Sequence, residues 1–422
     1  GDDLLNGGAG ADLLDGGDGS DTASYAGAAS GVTVSLEDGT ASGGAAGDTL
    51  TGVENLVGSD HDDALFGDSL DNTLIGGAGN DSMNGLGGLN VLYGDAGDDY
   101  LNEYGAATLY GGIGDDSLNV SGAGGVYDGG AGHDRIYYAN GQFSQGILLS
   151  LAGEDTATVG GSAAGDVVTG IEDVIATGFA DTLTGDGAAN WLQGQGGNDE
   201  LSGGAGDDSL DGGFGDDTLL GGDGDDIFRL VSGADNIDGG AGTDRVSYEW
   251  YGGDAAVSVD LSTGIVGGEA VGGSIANVED VEGNYFGDDT LIGDSLANNL
   301  AGIGGDDQLS GAAGDDSLEG GAGDDTLDGG TGDDVIDAGN GWDTIIGGVG
   351  NDTFIGGDRG NTLLDVNIAI QIGLVAAAFI PCRGFPCLPY APAPVGALLR
   401  APLPYPLARS HRFGGNSCAA PH

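Results

Sequence analysis

Residues 302–364 read, in groups of nine, GIGGDDQLS, GAAGDDSLE, GGAGDDTLD, GGTGDDVID, AGNGWDTII, GGVGNDTFI and GGDRGNTLL. The register runs through all seven units without a slip. A second run of six units occupies residues 194–247, and shorter runs occupy 7–24, 76–102 and 111–137. The shared form is G-G-x-G-x-D-x-U-x, where U is a large apolar residue, and we number these positions one to nine. Recurrence in phase indicates stacked repeats rather than a disordered acidic chain.

The residue types predict a short turn followed by a short strand. Glycines at positions one, two and four permit positive φ and let backbone carbonyls crowd together. In the three residues after the position-six Asp, position eight points to one face and its neighbours to the other. Two units then form one coil, so alternate units stack on the same side. The inward residues should include Leu210, Leu219, Phe228, Ile237 and Val246 in one run, and Leu309, Leu318, Leu327, Ile336, Ile345, Phe354 and Leu363 in another.

Stacking also brings the position-six aspartates into rows. Asp307, Asp325 and Asp343 should line one edge, and Asp316 and Asp334 belong to the other. Coils about 4.8 Å apart would make neighbouring carboxylates repel by roughly 1–3 kcal/mol per pair. A divalent ion between the turns would reverse the sign of that contribution, so that ion binding drives folding. We therefore expect the metal-free chain to be largely unfolded.

Composition favours calcium as that ion. The chain of 422 residues has 94 Gly, and its 69 acidic residues against 8 Arg and no Lys give a net charge of −61. Such a surface repels nucleic acids and anionic membranes. Calcium takes six to eight oxygen ligands in irregular geometry, whereas zinc prefers His or Cys. The first Cys is Cys382, so no disulfide can hold the repeats together.

The motif resembles the RTX, or haemolysin-type, calcium-binding repeat. The resemblance covers nearly all of residues 1–364 and implies an all-β, right-handed parallel β-roll, or β-solenoid, similar to the C-terminal domain of serralysins. It also implies that the position-six Asp and turn carbonyls from two successive same-side turns surround each calcium ion. The implied ligands are Asp3, Asp12, Asp21, Asp81, Asp99, Asp116, Asp134, Asp199, Asp208, Asp217, Asp226, Asp235, Asp244, Asp307, Asp316, Asp325, Asp334, Asp343 and Asp352.

Some units depart from the motif. Asn90, Gly125 and Asn361 stand at position six, and the stretch 103–110 is one residue short. We expect these places to bind calcium weakly or not at all.

A larger repeat of about 110 residues overlies the small one. The segments 31–39, 146–154 and 254–264 alternate apolar and polar residues, and each precedes an apolar-Glu-Asn/Asp-apolar tetrad. A degenerate unit with Asn72, Asn190 or Asn298 follows each tetrad. We interpret 25–57, 138–175 and 248–283 as wider coils with longer strands, between nonapeptide runs at 1–24, 58–137, 176–247 and 284–364. The tetrad residues Glu54, Glu172 and Glu279 are either extra ligands or, as we favour, strand caps.

Catalytic motifs are weak in this sequence. Residues 67–70 and 293–296 spell Gly-Asp-Ser-Leu, as in GDSL esterases, but both fill positions one to four of a unit and neither has a suitable His. A zinc-protease H-E-x-x-H motif is absent, and a P-loop needs a Lys. Carboxylate pairs recur in every turn, which favours a structural role.

The two ends differ in character. Gly1 falls at position four of a unit, so we interpret the chain as a fragment. The repeat array extends to Asp365, whereas residues 366–422 hold all nine Pro, all three Cys, four of the eight Arg and no acidic residue. We expect this tail to be disordered, and either unrelated or produced by a shifted reading frame. Its apolar stretch is too short to predict a transmembrane segment.

The sequence thus predicts a non-catalytic, calcium-binding module of a secreted bacterial protein. The family resemblance implies export of the parent by a type I secretion apparatus and folding in extracellular calcium, with no nucleic-acid partner. Two alternatives remain at this point. The chain is part of a secreted metalloprotease, lipase or alginate epimerase whose catalytic domain lies elsewhere, or it is a surface adhesin array.

Overall fold

The computed structural model describes residues 1–364, apart from 46, 139–142, 153–157, 249–255, 269–271, 356 and 358–360, and also residues 411–412. These residues form strands, turns and bends but no helix. The strands are β1 Leu4–Leu5, β2 Leu13–Asp15, β3 Thr22–Ser24, β4 Val32–Ser35, β5 Thr40–Gly43, β6 Thr49–Thr51, β7 Asn55–Val57, β8 Ala64–Phe66, β9 Thr73–Ala78, β10 Ser82–Asn84, β11 Val91–Ala96, β12 Tyr100–Glu103, β13 Thr108–Ile113, β14 Ser117–Val120, β15 Val126–Ala131, β16 Arg135–Tyr137, β17 Ile147–Ser150, β18 Thr158–Gly161, β19 Val167–Thr169, β20 Asp173–Ile175, β21 Thr182–Thr184, β22 Trp191–Gln193, β23 Glu200–Ala205, β24 Ser209–Asp211, β25 Thr218–Asp223, β26 Ile227–Arg229, β27 Asn236–Ala241, β28 Arg245–Ser247, β29 Val257–Asp260, β30 Ile265–Gly268, β31 Ser274–Ala276, β32 Asp280–Glu282, β33 Thr290–Ile292, β34 Asn299–Ala301, β35 Gln308–Ser310, β36 Ser317–Glu319, β37 Thr326–Thr331, β38 Val335–Asp337, β39 Thr344–Val349, β40 Thr353–Ile355, β41 Thr362–Leu363 and β42 His411–Arg412.

Alternate units stack in parallel, which confirms the predicted parallel β-solenoid. On one face, Leu309 of β35 pairs with Leu327 of β37, which in turn pairs with Ile345 of β39. On the other face, β36, β38 and β40 stack in the same way. Two nine-residue units therefore complete one coil, and each coil repeats the last after 18 residues.

The strands form two long faces. Face one consists of an eight-stranded sheet and a fifteen-stranded sheet, in the orders β1-β3-β7-β9-β11-β13-β15-β19 and β18-β17-β21-β23-β25-β27-β31-β30-β29-β33-β35-β37-β39-β41-β42. Face two pairs β2, β6, β5, β4, β8, β10, β12, β14, β16, β20, β22, β24, β26, β28, β32, β34, β36, β38 and β40. Turns connect the two faces at both edges of each coil.

The core lies between the faces as stacked rows of position-eight side chains. Leu210, Leu219, Phe228 and Leu327 are fully buried. The other predicted inward residues are buried as well, except Phe354 and Leu363, which are partly buried and pack against the same core. Positions seven and nine point outward, as the period of two requires.

The wider segments differ from the sequence prediction. Each contains an antiparallel hairpin of two four-residue strands, β4 with β5, β17 with β18 and β29 with β30. The prediction of longer strands was therefore wrong, because the extra residues reverse the chain. Gly39 (φ +62°) and Gly264 (φ +67°) adopt a left-handed conformation in two of these hairpin turns. The first strand of each hairpin also joins the parallel stack, as β4 does with β8.

The predicted disorder of residues 366–422 lies outside the described residues, apart from the two-residue strand β42. Within the described part of the chain, no helix is long and apolar enough to cross a membrane.

The inward row yields a stability prediction. Replacing the fully buried Leu327 with Ala removes apolar contacts with the coils above and below, so the free energy of unfolding at saturating calcium should fall by about 2–5 kcal/mol. Urea unfolding measures this. The exposed neighbour Thr326, replaced by Ala, is the matched control and should change stability by about 0.5 kcal/mol or less. Equal losses in the two variants would contradict the assigned core.

Candidate metal centre

The predicted aspartates lie in two rows, one beside each face. Asp3, Asp21, Asp199, Asp217, Asp235, Asp307, Asp325 and Asp343 precede strands of face one, and the other eleven precede strands of face two. Within a row, an aspartate donates its backbone N–H to a side-chain oxygen of the next residue of the row one coil later, and in most cases that acceptor is Oδ1 of another aspartate. The N to Oδ1 distance is 2.8 Å from Asp307 to Asp325 and 3.1 Å from Asp325 to Asp343. In each aspartate that accepts such an N–H, one carboxylate oxygen is thus used inside the protein.

The second carboxylate oxygen, Oδ2, differs from Oδ1 in most of these residues. For fifteen of the predicted residues, Oδ2 is buried and has no hydrogen-bond partner in the part of the chain that the structure describes. Burying an unpaired charged oxygen costs several kcal/mol, so such atoms are candidate ligands of a cation. These residues are Asp12, Asp21, Asp81, Asp99, Asp116, Asp134, Asp199, Asp208, Asp217, Asp226, Asp244, Asp307, Asp316, Asp325 and Asp334.

Turn carbonyls surround these oxygens. A Cβ built on Gly302, at position one, would lie 2.2 Å from Asp307 Oδ2 and 2.7 Å from the Gly320 carbonyl oxygen of the next coil. Both oxygens are therefore within 3 Å of one point that only glycine leaves free. At position four, a Cβ on Gly323 would collide with the Gly305 carbonyl oxygen of the preceding coil. The glycines thus build turns lined with oxygen.

This donor set suits a hard cation. Carboxylate and carbonyl oxygens are the ligands that calcium prefers, and calcium tolerates irregular geometry. Among the described residues, no group of three or more His, Cys, Asp or Glu side chains converges on one point. A calcium ion held here would take its ligands from position-six Oδ2 atoms together with turn carbonyls.

The remaining predicted residues differ in detail. Asp3 is exposed and contributes its N–H, which it donates to Asp21 Oδ1 (2.7 Å). Asp235, Asp343 and Asp352 accept N–H groups from Asp217, Asp325 and Asp334 and so extend the rows.

The three tetrad glutamates end the rows. Glu54 Oε2 accepts the N–H of Asp21 at 2.8 Å. Glu172 does the same for Asp134 (2.7 Å), and Glu279 does so for Asp244 (2.9 Å). Each glutamate takes the place that the next position-six aspartate would occupy, which agrees with the capping role favoured from the sequence.

Sequence reasoning missed other members of the rows. Asp63, Asp181 and Asp289 accept the N–H of Val32, Ile147 and Val257 through Oδ1 and pass their own N–H groups to Asp81, Asp199 and Asp307. Asp48 accepts the N–H of Asp12 (2.7 Å). The spacing of 18 residues from Asp63 to Asp81 was a usable signal, but the units of Asp63 and Asp181 lack glycine at positions two and four, and the unit of Asp289 has ten residues.

The two Gly-Asp-Ser-Leu stretches form ordinary turns. Asp68 donates its N–H to Asn72 Oδ1 and accepts the N–H of Leu70, and Asp294 does the same between Asn298 and Leu296. His133, one of the two histidines before the tail, contacts Asp173 (Nε2 to Oδ1 2.9 Å) on face two.

A second series of hydrogen bonds between coils lies outside the position-six rows. The position-five carboxylate of one coil accepts the N–H of the position-five residue one coil later, as Asp306 does from Asp324 (2.8 Å) and Asp324 does from Trp342 (2.9 Å). These side chains are exposed. Their N–H groups are donated to the preceding coil, whereas the N–H groups of the position-six rows are donated to the following coil. The sequence motif treats position five as variable and gives no sign of it.

Burial shifts the titration of the position-six carboxyls. Desolvation raises the pKa of Asp81, Asp99, Asp199, Asp307 and Asp325 from 3.8 to about 7. The donated backbone N–H lowers each pKa, and neighbouring carboxylates raise it again. Without a cation, the folded rows therefore hold protons that the unfolded chain releases.

A parallel β-solenoid with rows of buried, unpaired carboxylate oxygens beside carbonyl-lined turns is a cation-binding repeat protein. The family model described as RTX calcium-binding nonapeptide repeat (4 copies) matches residues 1–23, 66–101, 168–201, 175–210, 193–228, 220–249, 285–318, 301–336, 319–354 and 337–361. These matches cover just over half of the chain, which belongs to this family and is a calcium-binding repeat module. No curated protein gives a significant match.

The unpaired oxygen can be tested by mutation. In Asp325→Asn the Oδ1 acceptor remains and one ligand charge is lost, so the free energy of unfolding in saturating calcium should fall by roughly 1–4 kcal/mol. The control Asp324→Asn alters the exposed neighbour in the same way and should cost about 0.5 kcal/mol or less. Urea unfolding in calcium measures both. Equal effects would show that the buried oxygen holds no ion.

The raised pKa values predict an unusual pH dependence in chelator. Between about pH 4 and pH 7 the folded carboxyls keep protons that the unfolded carboxyls have lost, so the stability of the metal-free roll falls as pH rises through this window. Far-UV circular dichroism of the chelated chain should show more β structure at pH 5 than at pH 8. Calcium needs the ionised form, so its affinity should fall as pH drops below 7. Metal-free stability that rises with pH would contradict the assignment.

Proposed function

We propose that this chain is a non-catalytic module that calcium folds after export, within a secreted bacterial RTX protein. The observation that supports this most strongly is the set of fifteen buried Oδ2 atoms that have no hydrogen-bond partner among the described residues. Their cost disfavours the folded state where free calcium is scarce, as in the cytosol, and calcium removes that cost outside the cell. The chain would then pass unfolded through a type I secretion apparatus and fold where millimolar calcium is present.

The non-catalytic part of the proposal is supported by the use of the acidic residues. The aspartates recur with the coil period, and their hydrogen bonds serve the rows. The serines of the two Gly-Asp-Ser-Leu stretches sit in turns whose Asp residues hydrogen-bond locally. A calcium-loaded chain that hydrolysed ester substrates would contradict this part.

The calcium-dependent part predicts a cooperative titration. Far-UV circular dichroism of the full chain at pH 8 should show little β structure in chelator and a steep gain between micromolar and millimolar calcium. Magnesium at the same concentrations is the control and should leave the chain unfolded, because it demands stricter octahedral geometry and dehydrates reluctantly. A β spectrum that is independent of calcium would refute the proposal.

A further inference from the structure

Most of the described position-six side chains fall into two groups according to the backbone at position two, and Asp235, whose position-two residue Val231 has no positive φ, belongs to neither. In all fifteen units with an unpaired Oδ2, the position-two residue has positive φ. We call these open turns. Gly77, Gly204 and Gly321 are examples, with φ values of +115°, +111° and +102°.

Six units have turns of a different kind. In these closed turns, the second residue of the unit has no positive φ, and its N–H is donated to the Asp or Asn side chain that directly precedes the strand. That residue is at position six in five units, and it is the seventh in 283–292, which has ten residues. The N to Oδ2 distances are 2.5 Å from Ser59 to Asp63, 2.9 Å from Thr177 to Asp181 and 2.5 Å from Asn284 to Asp289. The corresponding N to Oδ1 distances are 2.8 Å for Asp68 to Asn72, 2.9 Å for Asp186 to Asn190 and 2.8 Å for Asp294 to Asn298.

The closed turns need no ion to satisfy their side chains. At Asp63 and Asp181, the position-two hydroxyl adds a further hydrogen bond to the carboxylate. At Asn72, Asn190 and Asn298, the amide Nδ2 donates to the carbonyl of Glu54, Glu172 and Glu279. An ionised carboxylate in place of the amide would have no N–H to donate and would face the partial negative charge of that carbonyl oxygen. Asparagine is therefore the residue that fits.

Backbone strain at position two is a second, independent indication that an additional interaction stabilises the open turns. Asp95, Gln195, Ile303 and Ala312 stand there with φ between +68° and +74°, a conformation that L side chains rarely adopt. Such strain raises the free energy of the folded backbone and persists only where other interactions impose it. Ile303 is the sharpest case because it is β-branched. A bound ion that needs the carbonyl orientation of the open turn supplies such an interaction.

We propose that the backbone conformation at position two decides which turns take calcium: the open turns bind it, and the six closed turns do not. This proposal rests on the proposed calcium binding and specifies which turns bind the ions. Each of the three long runs begins with one closed coil, formed by Asp63 and Asn72, by Asp181 and Asn190, or by Asp289 and Asn298. The closed coil serves as a calcium-independent platform. Asp63, Asp181 and Asp289 donate their N–H groups to Asp81, Asp199 and Asp307, the first open turns of the same rows.

Two triple variants of the full chain test the proposal. The closed set is Asp63→Asn, Asp181→Asn and Asp289→Asn. The open set is Asp81→Asn, Asp199→Asn and Asp307→Asn, one coil later in the same rows. Equilibrium dialysis at saturating calcium counts the bound ions. The closed set should bind as many ions as the unmodified chain, and the open set should bind at least about three fewer.

The outcomes separate this proposal from the proposed function. A loss of ions in the closed set as large as in the open set overturns the role of position two while leaving calcium binding intact. An unmodified chain that binds no calcium overturns the proposed function itself. If the closed set does not fold, the single variants Asp181→Asn and Asp199→Asn are compared in the same way. The first should bind as many ions as the unmodified chain and the second at least about one fewer, and an equal loss in both would overturn the proposal.

Discussion

The hydrogen bond from a position-six N–H to a side-chain oxygen of the next residue in its row is the interaction on which this fold depends. It fixes the spacing of the coils at both edges and turns each aspartate side chain inward. The same bond leaves a second oxygen buried beside the turn, as at Asp307 and Asp325. Because a buried carboxylate oxygen without a partner is costly, the geometry that orders the stack also makes it depend on a cation.

The glycines follow from this constraint. At position one, a side chain would occupy the space of the unpaired oxygen, and at position four it would meet the carbonyl of the neighbouring coil. Where no ion is needed, the chain uses its own groups instead. The rows end with a carboxylate from Glu54, Glu172 or Glu279. In closed turns, Ser59 and Thr177 each donate an N–H and a hydroxyl hydrogen to the aspartate of their own turn.

The sequence predicted the features that repeat in phase. Leu309, Leu327 and Ile345 stack because a period of 18 residues places them on one face. The same period predicts that Asp307 and Asp325 are neighbours in one row. The conformation at position two could not be predicted. Conformational propensity argues against positive φ at Ile303. The residue types of Ser59 and Thr177 do not predict that their N–H groups are donated to a carboxylate. The hairpins were missed because β4 and β29 alternate like any half-buried strand, whereas the turn that follows decides the pairing.

The central claim is that rows of buried carboxylates cannot stay folded at neutral pH without a divalent cation. Small-angle X-ray scattering of the metal-stripped full chain at pH 8 tests this most directly. The account predicts an expanded chain with a radius of gyration of roughly 75 Å, which falls to well under half of that value in millimolar calcium. A metal-free chain as compact as the calcium-loaded one would contradict it.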